Sequence, residues 1–355
     1  MWRPDLIETI YETYDRNRQR RQFLRTMFTG AAGLAFEAIV SRDAVAEPPD
    51  PGRATVSFLA GTDRREMMYW VLKPLEKEIQ EGIRGKQVII KCNLVGPDLL
   101  CAPHVDAVRG VLDFFAPIYK KKIIVADSTG RVYPGPVSTF KHFELHGYLT
   151  LPREYTMKLI DLNDEPTAVQ WILNDRAHPS PVNIISTFMD PGNYIVSLTR
   201  LKTHGRGIVA TLGIKNIVMG SPVNHYRQRS ATNRNEKVFM HSGGHENLTF
   251  NMFLVSQRVH ANLSVIDGSE GMEGNGPTRG TPVEHGVALA GTDLVAVDRI
   301  GTELMGIDYR DVPLVSACAQ AGMGQFDRSK ISIIGPDPAG YVIPYRLHDE
   351  IRNAS

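Results

Sequence analysis

Four polar clusters in this chain each follow a run of apolar, mostly β-branched residues. Lys91-Cys92-Asn93 follows Val88-Ile89-Ile90, and Asp127-Ser128-Thr129-Gly130 follows Ile123-Ile124-Val125. Lys202-Thr203-His204-Gly205 follows the run from Tyr194 to Leu201, and Asp267-Gly268 follows Ser264-Val265-Ile266. Lys91, Lys202 and Lys215 together can neutralise a carboxylate or phosphate, and Lys202 or His204 can move a proton. The glycine-rich segment Asp267 to Gly280 adds Asp267, Glu270 and Glu273, hard oxygen donors of the kind a divalent ion takes. Its glycines let backbone approach a ligand closely. His241 and His245 bracket Ser242-Gly243-Gly244, where the glycines oppose a helical ligand pair but allow a loop-borne metal or anion contact. Each cluster also has a plain structural use, since Asp-Gly and Asp-Ser form turns and caps.

The elements that must position these groups are legible as short strands alternating with helices. Thr55–Leu59, Val88–Lys91, Ile123–Ala126, Met157–Ile160, Tyr194–Leu198, Leu263–Ile266, Val287–Ala290 and Ile331–Ile334 read as strands buried on both faces. Arg64–Gln80, Val105–Phe115, Glu246–Val259, Leu294–Met305 and Val312–Ala321 read as helices. The alternation predicts an α/β fold with a mostly parallel central sheet and helices on both faces. In such sheets ligands bind beyond the carboxyl ends of the strands, where all four clusters fall. The fold is thus Rossmann-like, yet no dinucleotide fingerprint exists, because Gly274, Gly276 and Gly280 are spaced one residue too wide and no helix pattern follows. An EF-hand loop, a phosphate loop and a nucleophile elbow are also missing from the sequence. Residues 47–53 read as a linker, 54–340 as one domain, 341–355 as a tail, and 221–245 as an extended polar loop.

With 40 basic and 39 acidic side chains the net charge is +1, which gives no bulk electrostatic case for nucleic acid or an anionic membrane. The basic run Lys120 to Lys122 reads as a solvated strand entrance. Three cysteines are too few and too irregular for a disulfide scaffold, a zinc ribbon or an intrinsic cysteine-ligated iron–sulfur cluster. Cys92 and Cys101 read as buried free thiols, with pairing across their short loop as the alternative. Arg20-Arg21-Gln22-Phe23-Leu24-Arg25 resembles a twin-arginine export signal, with Gln19 where Ser or Thr is usual and Arg25 where Lys is usual. Thr26 to Val40 is moderately apolar, and Ala44-Val45-Ala46 has the form of a signal-peptidase site, so residues 1–46 are expected to be removed. The apolar run is too short for a stable membrane span. The expected partners are the twin-arginine translocase and a small anionic ligand, and the expected location is periplasmic or otherwise extracytoplasmic.

One ordered series of residues goes further. Val88 to Asn93, Leu201 to His204, Gly213 to Asn216 with Gly220, and His241 are followed by Asp267-Gly268, Glu273-Gly274, Gly280, Ala290 to Asp293 and Val295 to Asp298. The series resembles the family known as domain of unknown function 362, across roughly residues 54–336. That resemblance implies one shared site made from Lys91, Asn93, Lys202, His204, Lys215, Asn216, Asp267, Glu273, Asp293 and Asp298, in a family whose chemistry is largely unassigned. Many of its members carry an added ferredoxin-like segment with cysteine-ligated clusters, which is not seen in this sequence. Asp293 opens a helix and can serve as cap or site. Asp298, among Val295, Ala296, Val297 and Ile300, needs a partner for a partly buried acid. The expected activity is that of a metal- or cofactor-dependent enzyme acting on a small anion, with Lys202 and His204 catalytic and Asp267 and Glu273 holding a divalent metal ion. A non-catalytic anion-binding protein and a maturation partner of an iron–sulfur enzyme are the alternatives.

Overall fold

The structure, a computed structural model, describes residues 50–129, 138–225 and 234–353. The export signal and the first three residues of the linker lie outside the described residues. Among the described residues eleven strands carry the architecture: β1 Ala54–Ala60, β2 Gln87–Cys92, β3 Ile123–Asp127, β4 Met157–Asp161, β5 Thr167–Leu173, β6 Pro179–Ile185, β7 Asn193–Thr203, β8 Ala210–Thr211, β9 Leu263–Asn275, β10 Arg279–Gly291 and β11 Ile331–Ile334. The helices of five or more residues are α1 Arg64–Trp70, α2 Glu76–Gly82, α3 Val105–Ile118, α4 Thr139–Leu145, α5 Gly213–Gly220, α6 Glu236–Met240, α7 Gly244–Ser256, α8 Leu294–Leu304 and α9 Pro313–Gln320.

The main sheet runs β11-β1-β10-β9-β7-β2-β3-β4, with β8 beside β7. β4, β3, β2, β7 and β9 are parallel neighbours, and β10 is antiparallel to both β9 and β1. The carboxyl ends of β2 and β3 therefore meet that of β7 at one edge, whereas Asp267-Gly268, expected at a strand end, lies inside β9, which runs on to Asn275. Alternate residues of each strand feed opposite layers. Ile89, Ile124, Ile195 and Ile266 pack with α5, α7, α8 and α9, whereas Val88, Ile90, Val125, Val196 and Val265 pack with α1, α2 and α3. Burial on both faces is why the strands are continuous apolar runs rather than alternating ones. Cys92, Cys101 and Cys318 are buried, and no disulfide joins them to one another. Among the described residues no helix is long and apolar enough to cross a membrane.

Several segments depart from expectation for identifiable reasons. The helix expected over Arg64–Gln80 breaks into α1, a tight turn at Lys73–Leu75 and α2, because Pro74 removes a donor and crowds the preceding turn. The glycine-rich segment is not a free ligand loop. It extends β9 to Asn275 and returns as β10 from Arg279, a paired arm with Glu273 opposite Thr281. A Cβ on Gly271 would stand 1.9 Å from the Tyr345 hydroxyl, so that glycine makes room for protein, not ligand. The polar stretch 221–245 contains α6 and the start of α7. β5 and β6 form a separate hairpin absent from the expected strands. Residues 341–353 pack on the domain, with the Ile343 and Tyr345 amides donating to the Leu304 and Met305 carbonyls, each at 2.9 Å.

Candidate functional site

The converging strand ends enclose a cavity of about 260 Å³. It brings together Lys91 and Asn93 from the end of β2, Asp127 from β3, His204 after β7, Lys215 and Asn216 from α5, and His241 at the end of α6. Ser128 and Lys237 line it as well. Lys237 escapes the sequence because α6 has only five residues, too few to show a period. Its one signal is Asn235, whose side chain accepts from the Lys237 amide at 3.1 Å as an N-cap.

The cavity carries more positive than negative charge. Lys91 ion-pairs with Asp127 and donates to the Cys92 carbonyl at 2.6 Å and Asn216 Oδ1 at 3.0 Å. Asp127 also accepts from the Leu94 amide at 2.6 Å and the Ser128 amide at 2.7 Å. Lys237 donates to the Met219 carbonyl at 2.8 Å, the Gly220 carbonyl at 3.2 Å and Ser128 Oγ at 3.3 Å. The Lys215 amine makes no hydrogen bond or ion pair with a described residue. Burial, aided by the Lys91 charge, pushes the Lys215 ammonium down to about 8 and the Lys237 ammonium to about 7. Burial and then the Lys215 and Lys202 charges push His204 well below the usual imidazole value, and burial lowers His241. The buried Nδ1 of His204 has no hydrogen-bond partner among the described residues, a cost that a ligand oxygen would remove.

Three devices hold the wall in place. Asn216 Nδ2 donates to the Lys91 carbonyl and to Ser197 Oγ, each at 3.0 Å, tying α5 to β2 and β7. A Cβ on Gly220 would lie 2.6 Å from Lys91 Cε, so a larger residue there would displace the lysine from its path across the end of α5. The loop from His204 to Val209 closes through the His204 amide and the Val209 carbonyl at 2.7 Å. Val209 sits at φ 64, a left-handed conformation that a β-branched residue adopts only under constraint.

Other expected site residues lie elsewhere. Lys202 is fully buried behind the cavity wall, donating to Asn93 Oδ1 at 2.6 Å and the Cys101 carbonyl at 2.9 Å. It therefore orients Asn93 and is not placed to touch a ligand. Asp298 is buried and accepts from the Gly213 and Ile214 amides at 2.8 and 2.9 Å, which makes it the cap of α5. Burial pushes its carboxyl up to about 7 against those two bonds. Asp293 caps α8 through the Ala296 amide at 2.9 Å and also takes the Gln325 amide at 2.7 Å. Asp267 faces Arg64 at 3.3 Å, and Glu273 accepts from the Arg346 amide at 2.8 Å. The two acids thus have different protein partners. Among the described residues no cluster of three or more His, Cys, Asp and Glu side chains could hold a metal ion.

A mixed, mostly parallel α/β sheet with a lysine-lined cavity at its strand ends defines the class of protein. The chain belongs to the family described as Domain of unknown function (DUF362), whose model matches residues 88–303. It is 24% identical over 249 residues to the thylakoid-associated protein sll1697 of Synechocystis sp., a match covering 67% of this chain and 69% of that protein. Among solved structures it is similar to the lactate racemase apoprotein of Thermoanaerobacterium thermosaccharolyticum, at 12% identity and a TM-score of 0.34, covering 63% of this chain and 52% of that one. A Thermotoga maritima protein is similar at 11% identity and a TM-score of 0.37, covering 75% of this chain and 60% of that one. The chain thus spans between half and two thirds of the length of these two proteins.

Proposed function

We propose that this protein binds a small organic anion, a carboxylate or phosphate compound, in the lysine-lined cavity and acts on it as an enzyme by proton transfer. The observation that carries the reading is the Lys215 amine, which lines a cavity dominated by ammonium groups and has no partner among the described residues. An anion entering there gains the field of Lys91 and Lys237 and a charge-assisted hydrogen bond from Lys215. A lysine that titrates near neutral pH is also matched to taking and returning a proton. The test is calorimetric titration with acetate, lactate, pyruvate and inorganic phosphate, with hydrogen exchange into deuterated solvent followed by NMR. Lys215→Met is expected to weaken binding of the preferred anion roughly 10- to 100-fold, the worth of a hydrogen bond to a charged group. Failure of the wild-type protein to bind any of these anions at millimolar concentration would sink the reading. Binding without exchange would leave an anion receptor, a role that the fixed hydrogen bonds of Lys91 and Lys237 also fit.

We further propose export through the twin-arginine route, supported by Arg20, Arg21, Phe23 and Leu24 and by the Ala44-Val45-Ala46 site. Changing Arg20 and Arg21 together to Lys is expected to keep the protein in the cytoplasmic fraction at its unprocessed mass. Unchanged fractionation would refute export by this route.

A further inference from the structure

We infer that Lys215 is a carbonyl nucleophile and that the cavity takes a 2-oxo acid, whose ketone carbon is attacked by the Lys215 amine. The inference rests on the anion-binding reading and adds covalent chemistry to it. Four lysines converge on this edge of the sheet, and three donate to protein acceptors, Lys91 and Lys237 to three each and Lys202 to two. Lys91 is held by Asp127, Asn216 and a carbonyl, Lys237 by two carbonyls and Ser128, and Lys202 by Asn93 and a carbonyl. An amine fixed in that way cannot turn its lone pair toward a ligand. Lys215 has no such restraint among the described residues. It also occupies the first turn of α5, where the helix dipole opposes a cation and favours the neutral amine. The neighbouring Lys91 charge acts in the same direction, the arrangement by which desolvation and an adjacent cation prepare a lysine for imine formation.

The same wall selects the rest of the substrate. Its positive excess calls for a carboxylate, and a cavity of about 260 Å³, below the usual range for drug-sized ligands, calls for a small one. A carbonyl one bond from that carboxylate lets a single cavity hold both groups. The unpartnered Nδ1 of His204 is available to hydrogen-bond an oxygen. In the step itself the nitrogen lone pair forms the C–N bond as the carbonyl π pair moves to oxygen. A proton passes from nitrogen to that oxygen to give a carbinolamine. A second proton, taken from solvent, converts the hydroxyl to water, and its departure leaves a protonated C=N bond. Nothing is oxidised or reduced. The iminium then draws electrons from the neighbouring C–H bond, which is how the amine would promote proton exchange.

The test uses the whole chain with pyruvate and sodium borohydride. The expected result is an adduct with the mass of pyruvic acid less one oxygen atom, mapped by peptide mass spectrometry to Lys215. Lys215→Met should lose it while keeping its melting profile, and the wild-type map stands by itself if that variant folds poorly. Lactate, which has the carboxylate but no ketone, is titrated in parallel. Lactate binding without a Lys215 adduct would overturn the nucleophile and leave the anion site standing. Modification spread over surface lysines, or persisting in Lys215→Met, would also overturn it, as would failure of pyruvate to bind while phosphate binds, whereas failure of acetate, lactate, pyruvate and phosphate alike would bring down both readings.

Discussion

Lysines that share one wall differ in what they can do because their protons have different partners. Lys91 is neutralised by Asp127 and locked across Gly220, whereas Lys215 and Lys237 are lowered to about 8 and about 7 mainly by burial. Anion binding draws on the protonated ammonium, so affinity should be greatest below pH 7 and should fall as pH rises through these two values. Above the higher one the loss approaches about tenfold per pH unit for each proton that binding requires. Titration of lactate or phosphate between pH 6 and pH 9 checks this, and Lys237→Met should remove the lower of the two steps. A flat profile would mean that neither lysine titrates in the free cavity. Lys91, Lys215 and His204 were legible because strand ends and short motifs mark them. Lys237 was not, since its position depends on a five-residue helix with nothing in the sequence but a cap to announce it.

At the level of the element, α5 brings Lys215 and Asn216 to the cavity, and a side chain far along the chain sets its orientation. Asp298 on α8 accepts from the first two amides of α5. Asp298→Ala would strand those buried donors and is expected to cost roughly 1–3 kcal/mol or more, read as a lower urea midpoint. The loss of α5 geometry should also weaken anion binding, although Asp298 does not line the cavity. Asp298→Asn, which keeps an acceptor oxygen, should fall between wild type and Asp298→Ala. Equal stability in all three would mean that the cap contributes nothing. Sequence alone marked Asp298 as a buried acid needing a partner, but not that the partner is a helix end. For the glycine-rich segment the ambiguity is physical: glycines that admit a ligand and glycines that admit a tyrosine look the same until Tyr345 is in place against Gly271.

The molecule as a whole joins the strand-end edge to its far segments. Parallel β4, β3, β2, β7 and β9 made the edge foreseeable from apolar runs alone, but the return of β10 and the course of the last residues depend on contacts distant in sequence. Residues 341–353 run from α8, where Ile343 pairs with Leu304, along the arm, where the Gly274 amide donates to the Arg346 carbonyl at 2.6 Å. They end beside the His204 loop, where the Arg206 amide donates to Glu350 at 3.2 Å. This segment therefore acts as a strap across the β9–β10 arm, and Tyr345 is its anchor, buried with its hydroxyl 2.9 Å from His285 Nδ1. Tyr345→Ala is expected to cost about 3–5 kcal/mol, the usual range for removing a buried aromatic ring, and Tyr345→Phe only about 1 kcal/mol for the hydrogen bond. Urea denaturation of both variants distinguishes the two contributions. A loss well under 1 kcal/mol for Tyr345→Ala would mean that the strap is only laid on the surface, because a ring filling the space that Gly271 leaves open cannot be removed without opening a void in the arm.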